Sequence, residues 1–206
     1  MILIRYSKLN GGEFIPHLDT LRHLTKILRR ANISVNYSKG FNPHTLIYMS
    51  SPIALGLKSS SEYCFIDTLE DSENFKEKFN LNAPKGIRCE EVWKTDKKVK
   101  IASDITKATY EITGINKFNV DDILNLNTFT ILDKKGVEKE VREKIVSLNF
   151  EGDKLVACLK FGNDTLRPDY LASKLISIYG GEHVDIIKTS VTFLENKDTN
   201  NYLESL

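Results

Sequence analysis

The sequence predicts an α+β fold: two tandem ferredoxin-like, or split βαβ, domains with mainly antiparallel sheets. Three observations carry this expectation. In each half, short apolar runs and helical stretches follow the same order of strand, helix, short strand, strand, strand, helix, strand. A charged stretch at 97–104, "KKVKIASD", separates the halves and has only Val99 and Ile101 as large apolar groups. The length of 206 residues, with 41% apolar and 28% charged content, suits one large or two small folded domains. The expected organisation is a domain over 1–96, a linker over 97–104, a second domain over 105–195 and a frayed C-terminus over 196–206.

The first half begins with "MILIRYSK" (1–8), which alternates as a strand until Gly11 and Gly12 break it. A helix follows over 16–31, with Pro16 near its first turn and Asp19 placed to complement the helix dipole. Leu18, Leu21, Leu24, Leu28 and Ala31 recur at steps of three and four, which predicts a buried stripe. Arg22, His23, Lys26, Arg29 and Arg30 take the complementary positions and predict a basic wet face. "SVNYS" (34–38) reads as extended and leads into a loop, "YSKGFNPH" (37–44). "TLIYMSSPIAL" (45–55) and "SEYCFIDTLE" (61–70) read as strands joined by a "GLKSSS" turn. "SENFKEKFN" (72–80) is a short helix with a serine cap, and "GIRCEEVWKT" (86–95) is the last strand.

The second half repeats the pattern. "TKATYEITG", "TFTILD" and "VDIIKTSVTFLE" read as strands, and "NVDDILNL" as a short helix. A hairpin turns at Glu151–Gly152–Asp153, and "RPDYLASKLISIYG" is a helix bounded by Pro168 and Gly180.

Composition excludes several classes. No apolar run approaches the ~20 residues of a membrane-spanning helix, and the N-terminus reads as a strand and not as a secretory signal. A cytoplasmic protein is expected, with no membrane partner. Cys64, Cys89 and Cys158 are too few and too widely spaced for a disulfide framework, a zinc site or a thiolate-bound iron–sulfur cluster, so no cofactor is expected.

The net charge of +1 hides an asymmetry. Residues 1–61 carry eight Lys or Arg against two acids, a net of +6, and the remainder carries −5. No acidic residue occurs between Asp19 and Glu62. Solvated faces ordinarily mix both signs, so the run points to an anionic partner. Arg22, Lys26, Arg29, Arg30, Lys39 and Lys58 are the candidate phosphate contacts.

In the loop, Gly40, Asn42 and Pro43 explain the turn but not Phe41 between Lys39 and His44. Exposed, Tyr37 or Phe41 would stack on an unpaired base; buried, Phe41 would anchor the loop and hold Lys39 and His44 rigidly. His17, Asp19 and His44 are the candidate catalytic residues. Asp19 could orient His23 or pair with Arg22, and His17 with His44 would form the acid–base pair of a metal-independent ribonuclease. As metal ligands, His17, Asp19, His23 and His44 fit poorly, because histidines six apart do not share a helix face, and no metal is expected. Ser59–Ser61 could hold a phosphate, although a structural turn fits them better. Arg167 could reach an anion or the other domain.

"RYSK" (5–8), "PHLDTLRH" (16–23), "RRANISVNYSKGFNPH" (29–44), "SPIALGLKSSSEY" (51–63) and "LRPDYL" (166–171) resemble the radical SAM-linked family, a bacterial domain of unknown function. Its members are appended to radical SAM enzymes or encoded apart from them. The resemblance is dense over 1–70 and thin beyond. It implies a radical SAM protein as partner and RNA or the translation machinery as target, and it assigns no catalytic residue. Tandem folds of this type also resemble the processing nucleases of bacterial RNA-guided defence, which supports the ribonuclease alternative. The expected function is non-catalytic RNA binding beside a radical SAM enzyme, with no DNA partner. In that account Tyr37, Phe41 and His44 touch a base or sugar. The alternatives are the ribonuclease and a module that docks its basic face on a protein.

Overall fold

A computed structural model describes residues 1–206, the side chain of Asn163 excepted. The protein is α+β, with mainly antiparallel sheets and, among the described residues, six α-helices. Contacts divide it into two units, Met1–Asp104 with Lys197–Leu206, and Ile105–Asn196.

The first unit runs β1 (Ile2–Lys8), α1 (His17–Arg30), β2 (Ile47–Met49), β3 (Lys58–Ile66), α2 (Phe75–Asn82), β4 (Ile87–Lys94) and a single turn, α3 (Ile101–Asp104). Its strands lie in the order β4-β1-β3-β2, every neighbour antiparallel. Ile2, Ile4 and Tyr6 of β1 alternate toward the helices and pack with Cys64 and Ile66 of β3, Leu24, Ile27 and Leu28 of α1, and Phe75 and Phe79 of α2. Each such aliphatic side chain contributes about 1.5–3 kcal/mol when fully buried. Entry to α1 is fixed by backbone. The Leu9 amide donates to Gly86 O at 3.0 Å, and a Cβ on Gly12 would lie 2.0 Å from that same oxygen. Only glycine permits this approach.

The buried face of α1 differs from the expected stripe. Thr20, Leu24, Ile27, Leu28 and Ala31 are buried, while Leu18 is 66% exposed. Thr20 can enter the core because its hydroxyl donates to Pro16 O at 3.0 Å, so no polar group is left unsatisfied. The "GLKSSS" turn is also displaced. Its lysine and serines already belong to β3, and Ser59 and Ser61 are buried, so they offer no phosphate a binding loop.

The segment expected as a linker is part of the first unit. Val99 and Ile101 are buried, and two apolar anchors in eight residues suffice to dock it. The expected fraying is also replaced by structure. The C-terminal residues form α6 (Thr199–Ser205), capped by Asp198, whose side chain accepts from the Asn201 amide. Thr199 Oγ1 meets Tyr63 Oη at 2.8 Å, Trp93 Nε1 donates to Asn200 Oδ1 at 2.7 Å, and Tyr202 Oη donates to Asp104.

The second unit runs β5 (Ile105–Ile115), α4 (Asp121–Leu124), β6 (Thr130–Leu132), β7 (Glu138–Glu140), β8 (Ile145–Glu151), β9 (Lys154–Lys160), α5 (Pro168–Tyr179) and β10 (Gly181–Phe193). Its main strands lie in the order β10-β5-β9-β8, again antiparallel, while β6 and β7 pair as a separate hairpin. No helix is long and apolar enough to cross a membrane among the described residues.

Candidate nucleic-acid interface

Helix α1 carries the basic run, and its two ends have different surroundings. At the C-terminal end, Lys26, Arg29 and Arg30 are exposed, and the last two suit the negative end of the helix dipole. Asn32 follows with φ 53°, a left-handed residue that stops the helix and turns the chain toward the loop. The Asn36 amide donates to Asp67 O at 2.8 Å, and Asn36 Nδ2 donates to Asp67 Oδ1 at 3.0 Å, which ties the loop base to the end of β3.

The loop is a closed hairpin. Tyr37 and Thr45 form a bridge, and the Ser38 amide donates to His44 O at 2.9 Å. The His44 amide donates to Ser38 Oγ at 3.0 Å, and the same oxygen lies 2.8 Å from His44 Nδ1. With the hydroxyl donating to Nδ1, the neutral imidazole carries its proton on Nε2, the nitrogen not used by the loop. Gly40 takes φ 129° at the tip. Beside it Phe41 is 107% exposed and Tyr37, at the base, 49%. Of the two roles open to Phe41, the structure excludes the buried anchor.

Helix end and loop share a hollow of about 280 Å³ lined by Thr25, Arg29, Asn32, Ile33, Ser34, Val35, Tyr37 and Thr45. The sequence nominated Arg29 and Tyr37 separately; the fold places them on one concavity. Lys26, Arg29, Arg30 and Lys39 carry no ion pair among the described residues. Asn32, Thr25, Ser34 and Thr45 were not singled out from sequence. The helix-stopping asparagine was the available signal.

The N-terminal end of α1 is different. Asp19 Oδ1 accepts from Arg22 Nη1 at 2.7 Å, so Arg22 is an ion-paired cation and Asp19 does not orient His23. Arg5 is likewise paired, with Glu91 at 2.6 Å, and Lys8 donates to Ile15 O at 2.8 Å. Lys58 opens β3 beside the end of β1, where Lys8 faces Ser59. The loop base joins the far end of β3 through Asp67, about 27 Å away along a nine-residue strand, so Lys58 does not belong with Arg29 and Tyr37.

The histidines do not converge. His17 begins α1 and Arg29 lies twelve residues on, a rise of about 18 Å. Thr45 lines the hollow with Arg29, and His44 adjoins Thr45. His17 and His44 therefore stand at opposite ends of the helix, and the acid–base pair is not assembled. No group of three or more His, Cys, Asp or Glu suited to a metal occurs among the described residues. Arg167 is committed locally, with Nε and Nη2 donating to the Asp169 carboxylate at 3.0 and 2.5 Å and its guanidinium over the Tyr170 ring.

A family model described as an uncharacterized protein conserved in bacteria, DUF2344, matches residues 1–168. The chain belongs to this family. The DUF2344 match extends from β1 to the first residue of α5, so both ends of α1 and the whole loop lie inside it. No curated protein matches the chain.

A larger hollow in the first unit, about 530 Å³, is lined by Tyr48, Met49 and residues 98–103. Its walls are mainly apolar, with Lys98 Nζ 5.6 Å from the centre of the Tyr48 ring. Docking of the 97–104 segment beside the three-residue β2 accounts for it, and it gathers none of the nominated anion contacts.

Proposed function

We propose that this protein is a non-catalytic RNA-binding accessory factor, acting in the cytoplasm beside a radical SAM enzyme. Both units are read as ferredoxin-like domains, a reading supported by the strand orders β4-β1-β3-β2 and β10-β5-β9-β8. RNA binds at the C-terminal end of α1. The observation that carries this is four exposed cations without carboxylate partners beside a fully exposed Phe41 and a half-exposed Tyr37. Solvation alone explains the cations but not an aromatic ring held in water at a loop tip. The radical SAM partner rests on the sequence resemblance.

The test is salt dependence. Four phosphate contacts on single-stranded RNA give a slope of about −2.8 in log K against log salt, hence roughly fifty-fold weaker binding on going from ~50 to ~200 mM. Arg29→Ala/Arg30→Ala is expected to halve the slope. Binding that is flat across salt would reject the phosphate account.

A second reading has its own observation. Phe14, Leu18 and Leu55 are each more than 60% exposed, and Gly56 N donates to Glu13 O at 2.9 Å, which places the Leu55 loop beside Phe14. This apolar group at the other end of α1 suits docking on the partner protein. Complex formation with a co-expressed radical SAM protein that survives high salt and is lost in Phe14→Ser/Leu55→Ser would support it.

A further inference from the structure

We infer that the α1–loop site reads unpaired ribonucleotides: one nucleoside enters the hollow between Arg29, Asn32 and Tyr37, and a neighbouring base stacks on Phe41. This rests on the RNA-binding reading and narrows it to a substrate class. The hollow, about 280 Å³, lies just below the ~300–1,000 Å³ of small-molecule sites, so it has room for a single nucleoside and none for a duplex. Its lining includes Arg29, Tyr37, Asn32, Ser34 and Thr45, and Thr25, whose hydroxyl donates to Leu21 O at 3.0 Å and keeps only acceptor capacity. That is the mix a base edge and a ribose need, and the 2′-hydroxyl finds donors and acceptors there.

Phe41 supplies the second argument. In a duplex the base faces are covered by their neighbours, and the A-form major groove is too narrow for side chains to read. A ring that is 107% exposed at a hairpin tip can meet a base face only where the base is unstacked. Tyr37 and Phe41 are four residues apart, at most about 14 Å along the chain, a span that a few splayed nucleotides cover. The Ser38–His44 hydrogen bonds hold the hairpin, so the platform exists before the ligand arrives.

The experiment compares a 12-nucleotide single-stranded RNA carrying 2-aminopurine with the same sequence as a blunt duplex, at one salt concentration. The single strand is expected to bind at least tenfold more tightly and to quench 2-aminopurine on binding. Phe41→Ala and Tyr37→Ala are each expected to weaken the single strand about 5- to 150-fold, the range for loss of one stacked base, with duplex affinity unchanged. Phe41→Trp should restore binding. Phe41 has no core contact to lose, so its alanine variant keeps the fold. Equal affinity for the duplex, or a Phe41→Ala protein with unaltered affinity and quenching, would overturn this inference and leave salt-dependent RNA binding standing. Absence of salt-sensitive RNA binding would remove both.

Discussion

The two units have the same strand order, but they connect their first and second main strands differently. In the first, the crossover is a 14-residue helix followed by a long hairpin loop, with Arg29 and Tyr37 on a shared hollow. In the second, the same place holds a four-residue helix, α4, and the small β6–β7 hairpin, where Lys134, Lys135 and Lys139 are interleaved with Asp133, Glu138 and Glu140. The sheet order repeats and the candidate site does not. Strand order follows from which apolar runs must be covered, whereas a binding surface depends on what decorates the crossover.

That comparison can be broken most easily in the core. Leu24→Ala in α1 is expected to cost about 2–5 kcal/mol in a denaturant titration, because a fully buried leucine leaves a cavity. Leu126, just after α4, is 44% exposed, and Leu126→Ala should change stability by about 0.5 kcal/mol or less. Equal losses would mean that the two crossovers contribute alike. The next largest effect concerns charge. Arg29→Ala/Arg30→Ala is expected to weaken single-stranded RNA binding roughly 25-fold at ~0.1 M salt, about 1.9 kcal/mol. Lys134→Ala/Lys135→Ala, which removes the same formal charge from the second unit, should leave affinity within about twofold in the same anisotropy assay.

Alkaline stability tests the two buried thiols of the first unit, Cys64 and Cys89. In the first unit burial pushes the Cys89 thiol up to about 12 and raises the Cys64 thiol as well; in the second, the partly buried Cys158 is raised too. Below about pH 9 both thiols stay protonated in folded and unfolded chains, so their stability contribution is fully present. Above pH 9 the unfolded chain ionises first, and stability falls by ~1.4 kcal/mol per pH unit for each thiol, for Cys89 until about pH 12. Urea midpoints measured between pH 8 and 10 should fall less steeply in Cys89→Ala. An unchanged slope would mean that Cys89 does not carry the alkaline loss. The smallest effect is expected from Asp19→Asn. It removes an exposed i,i+3 pair worth about 0.2–0.5 kcal/mol at the end of α1 away from the candidate site, so Tm should drop slightly while RNA affinity stays within about twofold.

Much of the fold was legible because it rests on local signals. Pro16, Asp19 and the leucine spacing place α1 to within a residue or two, and Pro168 and Gly180 do the same for α5. Errors arose where one or two residues decide. Val99 and Ile101 are too few to stand out in a charged stretch, yet both are buried. Asp198–Thr199 is a helix-capping pair in a polar tail, and Tyr202 alone supplies the large apolar anchor that makes the tail fold back. The candidate site was legible as residue types and not as an assembly. Arg29, Tyr37 and Phe41 were nominated from charge and from aromatics out of place in a turn. Lys58 was nominated from charge and His17 as half of an acid–base pair with His44, but both lie toward the opposite end of α1, a separation that the chain order alone does not reveal. Asn32 was passed over because an asparagine after a helix reads first as a stop signal.

Helix α6 belongs to the first unit but is encoded after the whole of the second. During translation at ~5–20 residues per second, the sheet carrying Tyr63 and Trp93 waits roughly 5–20 s for Thr199 and Asn200 to be synthesised. In that interval two aromatic side chains on a nascent sheet lack their closing partners, and the second unit can fold as an uninterrupted stretch. Every residue of the second unit is thus encoded before the first is complete, and a chain ending at Asn196 would hold the whole insert inside an unfinished host.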